Sequence, residues 1–169
     1  MKAIRMTLLA LAFASSMHGT TVNAKESTDD RSLILLVGPT AEKSLVDGST
    51  AYGTSLALEF KAIEHQLEIE LGAQYLSTST PKELNAQIIF KKPLELAQDV
   101  ELGLGLGPAM WRKTSSPNSN LQLGVAFVAD FMFWTTKKVG WYLSPSYTHG
   151  IGGNAEKSLG ISAGLLFSM

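Results

Sequence analysis

From Val100 to Gly107 the chain reads Val-Glu-Leu-Gly-Leu-Gly-Leu-Gly. Side chains alternate faces along an extended strand, so Val100, Leu102, Leu104 and Leu106 share one face. Glu101, Gly103, Gly105 and Gly107 share the other. The chain's last strand repeats the device, with Leu159, Ile161, Ala163, Leu165 and Phe167 against Ser158, Gly160, Ser162 and Gly164. In a soluble sandwich the bare face meets water, where glycine packs nothing and weakens the strand. In a small membrane barrel the greasy face meets lipid and glycine fits a narrow lumen.

The same period of two predicts strands over Tyr52–Lys61, His65–Leu76, Leu84–Lys92, Asn120–Phe133 and Val139–Thr148. A further strand, Ser32–Thr40, carries Leu33-Ile34-Leu35-Leu36-Val37, which does not alternate. Longer connections over Ala41–Ala51, Ser77–Glu83, Met110–Ser119 and His149–Glu156 alternate with tighter links near Ala62–Glu64, Pro93–Gln98 and Thr135–Lys138. Short turns on one side and longer loops on the other are the habit of outer-membrane barrels. The expected fold is all-β, an eight-stranded antiparallel up-and-down transmembrane β-barrel.

The beginning of the chain supplies an address. Lys2 and Arg5 precede an apolar run from Met6 to Ala14, then small and polar residues up to Val22-Asn23-Ala24. That order is a secretory signal over residues 1–24, cleaved after Ala24, with the barrel domain over residues 25–169. A membrane anchor needs about 20 apolar residues, and this run is far shorter. The expected location is the cell outer membrane. The chain has no cysteine, which removes disulfide and thiolate-metal chemistry, and its net charge of −1 comes without a basic stripe for nucleic acid.

Aromatic residues sort by depth on this topology. Tyr52, Tyr75, Trp111 and Tyr147 fall at the outer strand ends, and Phe60, Phe90, Phe133, Trp134, Trp141 and Phe167 at the periplasmic ends. Two such belts are expected where an apolar ring body meets a polar interface.

With these features the chain resembles the small outer-membrane β-barrel proteins, the group that holds OmpA-like, OmpX-like and porin-family domains. The likeness is carried by the signal sequence, Glu101–Gly107, Phe131-Met132-Phe133-Trp134, Gly140–Tyr147 and Ser158–Phe167. It implies outer-membrane lipids, lipopolysaccharide and the barrel-assembly machinery as partners. Such barrels usually end on an aromatic residue, whereas here Phe167 is followed by Ser168 and Met169.

Side chains nearly fill the interior of an eight-stranded barrel. The inward glycines suggest some water-filled space in its second half. Glu59, Lys61, Glu68, Glu70, Lys91, Glu101 and Asp130 are expected to point inward, with Lys61 near Glu68 and Lys91 near Glu101. Buried charge is costly unless paired, so an internal salt-bridge network is expected. Because carboxylates outnumber lysines, a cation or proton site is the rival reading. Catalysis is not expected. His149 with Ser146 or Thr148 is the only candidate, and it lacks the His-x-Ser spacing of lipid A deacylases. His65 and His149 are too far apart for a metal pair, so neither metal nor cofactor is expected. The expected role is non-catalytic, in envelope integrity or in surface recognition through Ala41–Ala51 and Met110–Asn120. A narrow channel for small solutes is the alternative, and a lipid-modifying enzyme ranks third.

Overall fold

The computed structural model describes residues 32–63, 65–77, 82–114, 121–152 and 156–169. The leader over residues 1–24 lies outside them. Eight strands are present: β1 (Leu33–Ser44), β2 (Thr50–Ile63), β3 (Leu67–Ser77), β4 (Lys82–Ala97), β5 (Val100–Lys113), β6 (Gln122–Trp134), β7 (Val139–Gly150) and β8 (Lys157–Ser168). Each is antiparallel to its sequence neighbours, and β1 pairs with β8 to close the barrel. Closure leaves no sheet edge, so the backbone polar groups of the strands are met inside the wall. No helix among the described residues is long and apolar enough to cross a membrane.

The register fixes the geometry. Residue pairs followed around the wall run Leu33, Phe60, Ile69, Phe90, Leu106, Phe127, Tyr147, Leu159 and back to β1 at Lys43, a stagger of ten residues from Leu33 to Lys43. Closure with such a stagger tilts the strands by about 40°. The pairing row therefore climbs from the end that holds the short turns and Ser168, the turn end, to the opposite loop end.

Alternation holds through the wall. Leu56, Leu71, Ile88, Leu104, Leu123 and Ile161 are exposed on the outer face, while Glu59, Glu70, Ile89, Lys91, Ala126 and Asp130 are buried within. The apolar run of β1 is also explained. Ile34 and Leu36 point inward and pack with Met132, Trp134, Tyr142 and Leu166, so that strand is apolar on both faces.

The strands run further than the sequence pattern implied. β1 continues to Ser44, which cuts the first connection to five residues, 45–49. β4 passes through Pro93 to Ala97, and only Gln98 and Asp99 turn the chain into β5. β5 likewise continues through Met110 to Lys113, inside the segment expected as a loop. Much of the second, third and fourth connections lies outside the described residues. The turn after β2 holds His65 at φ 55°, a left-handed conformation unusual for a residue with a side chain.

Candidate functional site

The lumen's charged residues meet on Lys91. This residue projects inward from the middle of β4 and is 0% exposed. Its Nζ donates to Glu59 Oε2 and to Glu70 Oε2, each at 2.5 Å, and forms an ion pair with Asp130 across the lumen. Glu59 and Glu70 face each other on β2 and β3. The second oxygen of Glu70 accepts a bond from Gln87 Nε2 at 3.1 Å. One ammonium thus ties β2, β3, β4 and β6 together.

The glycine-rich face of β5 is what lets Lys91 lie there. Lys91 is paired with Gly105, and a Cβ at Gly105 would sit 2.6 Å from Lys91 Cγ and 2.5 Å from Ile89 Cγ2. At Gly103 a Cβ would stand 3.4 Å from Lys91 Cδ. The lysine stem therefore lies along bare backbone. The expectation of water-filled space beside these glycines is corrected, because the side chains of Ile89 and Lys91 occupy it.

Of the seven residues expected in the network, Glu59, Glu70, Lys91 and Asp130 are joined directly. Glu68 is buried beside them, paired in register with both Lys61 and Lys91. Its Oε2 accepts no hydrogen bond among the described residues. Lys61 and Glu101 face inward nearer the turn end and are partly exposed. The expected proximity of Lys91 to Glu101 is corrected: the longer β4 sets Glu101 opposite Glu95 and Lys91 opposite Gly105.

Three carboxylates of the site, from Glu59, Glu70 and Asp130, have oxygens within 4.8 Å of one another, close enough to share a metal ion. The Lys91 ammonium bonds to all three, so the chain supplies the cation itself. Beside this knot, Ile34, Leu36, Met132, Trp134, Tyr142 and Leu166 pack as an apolar cluster in the turn-end half.

Toward the loop end, Ile89, Ala109, Trp111, Ala126 and Val128 form a second apolar cluster. Trp111 Nε1 donates to Glu156 Oε2 at 3.1 Å, and Lys113 Nζ donates to Glu156 Oε1 at 2.6 Å. Asn85 Nδ2 reaches Glu42 Oε2 at 3.4 Å. Sequence reasoning missed these contacts, although Trp111 and Lys113 continue the inward phase of Gly103, Gly105 and Gly107. Two cavities deeper in the lumen measure about 30 Å³ each. A wider vestibule of about 220 Å³ opens at the loop end, lined by Glu42, Glu83, Lys113 and Glu156 among others.

Three of the expected interface aromatics need correction. Trp111 and Trp134 are 5% and 8% exposed and point into the lumen, because strand parity overrides the ring's preference for an interface. Phe90 is outward but sits mid-strand, because β4 continues seven residues beyond it to Ala97. Tyr52, Tyr75 and Tyr147 lie on the outer face toward the loop end. Phe60, Phe133, Trp141 and Phe167 lie on the outer face toward the turn end, where the rings of Phe133 and Trp141 stack at 3.9 Å.

His149 lies at the loop end of β7 on its outer face, with Nδ1 3.4 Å from the Tyr147 hydroxyl. Ser146 and Thr148 are on the opposite face of the same strand and line a lumen cavity. His65 is in a turn at the far end of the barrel.

No family model and no curated protein matches the sequence. Solved structures do. Neisserial surface protein A is 14% identical, with 81% of this chain and 97% of that one covered at a TM-score of 0.62. OprG from Pseudomonas aeruginosa is 12% identical over 81% and 95%, with a TM-score of 0.61. Ail, the attachment invasion locus protein of Yersinia pestis, is 13% identical over 80% and 97%, with a TM-score of 0.53. Identity this low speaks to fold and leaves function open, and on that ground the chain has the fold of the small outer-membrane β-barrels.

Proposed function

We propose that the protein is an exported outer-membrane barrel with a closed lumen, which serves as a non-catalytic surface component of the envelope and not as a conduit. The observation that carries this reading is the Lys91 knot with its apolar neighbours, which crosses the lumen and leaves cavities of about 30 Å³. Such a space holds about one or two waters. The outer face supports the membrane setting: its exposed leucines and phenylalanines form an apolar band, with tyrosines toward one rim and Phe60, Phe133, Trp141 and Phe167 toward the other. Placing the loop end outside the cell follows from the longer connections there.

The geometry of β7 supports a non-catalytic role. A hydroxyl nucleophile and its base must lie within hydrogen-bond reach, and His149 faces away from Ser146 and Thr148. The reading is tested by proteoliposome swelling in small sugars and amino acids, with gel mobility before and after boiling as the check on folding. A heat-dependent shift with no swelling supports a closed surface barrel, and swelling above empty liposomes overturns it.

A further inference from the structure

At the loop end the wall sorts charge by face. Glu42 is followed by Lys43, and Glu156 by Lys157. In each pair the acid points into the barrel, where Glu42 meets Asn85 and Glu156 meets Trp111 and Lys113. The lysines are in phase with the outward residues. Lys43 is paired with Leu159, and Lys157, which also borders the vestibule, is paired with His149. Tyr147 is paired with Leu159 one step below. Two lysines and a histidine thus surround Leu159 on the outer face, just above the tyrosine level.

From this cluster an apolar groove of about 720 Å³ descends across β8, β7, β6, β5 and β4. It follows the climbing row of paired residues, between the ridge of Leu159, Tyr147, Phe127 and Leu106 and the lower ridge that holds Ala129 and Leu104. Its upper end is the flank of Leu159 on β8, and its lower end reaches Lys92 on β4 and Gln66 and Leu67 at the start of β3.

We propose that this groove and its cationic head form a seat for one lipid A molecule of the outer leaflet. A phosphate would sit on Lys43, Lys157 and His149, with an acyl chain laid in the groove. The inference rests on the outer-membrane reading given above. Charge complementarity selects the occupant. Ammonium and imidazole donors bind phosphate through charge-assisted hydrogen bonds, and three of them gather at the upper end. The lower end offers a single cation, Lys92, against three donors at the upper end. A phospholipid of the inner leaflet would need that end.

The test is native mass spectrometry of the mature protein refolded in zwitterionic detergent, titrated with diphosphoryl lipid A or with phosphatidylglycerol. Wild type is expected to hold one lipid A in preference to phosphatidylglycerol. The double variant Lys43→Gln/Lys157→Gln should weaken binding at least about tenfold. Ala129→Trp, which obstructs the groove without touching the cations, should also weaken it. Arg112→Gln, a change of outward charge on β5, should leave it intact. Equal binding by wild type and the double variant overturns the seat. So does an equal loss with Arg112→Gln, which would mean diffuse attraction, or preferential phosphatidylglycerol binding that disappears with Lys92→Gln. Heat-dependent gel mobility separates the two levels: a mature chain that stays dispersed in plain buffer without any shift contradicts the outer-membrane reading itself.

Discussion

Lys91 and Gly105 face each other across the β4–β5 pair, and the absence of a side chain on one makes room for the stem of the other. Gly105→Ala forces a carbon to within 2.6 Å of Lys91 Cγ and 2.5 Å of Ile89 Cγ2. Overpacking of this kind costs about 1–3 kcal/mol. Gly103→Ala, with 3.4 Å to Lys91 Cδ, should cost less. Urea unfolding in lipid vesicles checks the pair, and equal losses at both positions would contradict the packing described.

Removing the cation should be worse than removing the whole knot. Lys91→Met leaves Glu59, Glu70 and Asp130 buried without their shared partner, which should cost about 3–5 kcal/mol. Adding Glu59→Gln, Glu70→Gln and Asp130→Asn to Lys91→Met should recover much of that loss. The same unfolding assay reads both, and a quadruple variant no more stable than Lys91→Met would contradict it.

Leu104 is outward and exposed at mid-strand, so Leu104→Arg tests the lipid face. A charge at bilayer mid-depth should cost about 2–4 kcal/mol in vesicles. No loss would mean that this face does not meet lipid.

The first connection has its own polar lock. Hydrogen bonding from the side chains of Ser44 and Ser49, together with the Ser49 amide, holds the Asp47 carboxyl down to about 2. A carboxyl lowered by folding contributes stability above its unfolded value, near 3.9, and the contribution is lost as pH falls through about 2. Carboxyl-detected NMR should place the Asp47 midpoint near 2, and Ser49→Ala should raise it. A midpoint near 4 in wild type would contradict the lock.

Strand faces were legible because one face needs lipid-soluble side chains and the other does not. That contrast places Glu59, Glu70, Lys91 and Asp130 inside from the sequence alone. Their mutual contact was not legible. Asp130 meets Lys91 from β6, a strand that does not neighbour β4, and hairpin parity carries no information across a lumen. Strand ends misled for a related reason. Pro93 and the Met110–Lys113 stretch look like connections locally, yet neighbouring strands extend to pair with them. Trp111 and Trp134 show the ranking of effects: both continue the inward phase of their strands, and that phase decides their position over an aromatic ring's affinity for the interface.

Single-channel recording of the refolded protein in a planar bilayer reads the closure of the lumen. The Lys91 knot predicts no steady open level in wild type. A steady conductance step that changes with Glu68→Gln would contradict it, because ions would then be passing the buried carboxylates.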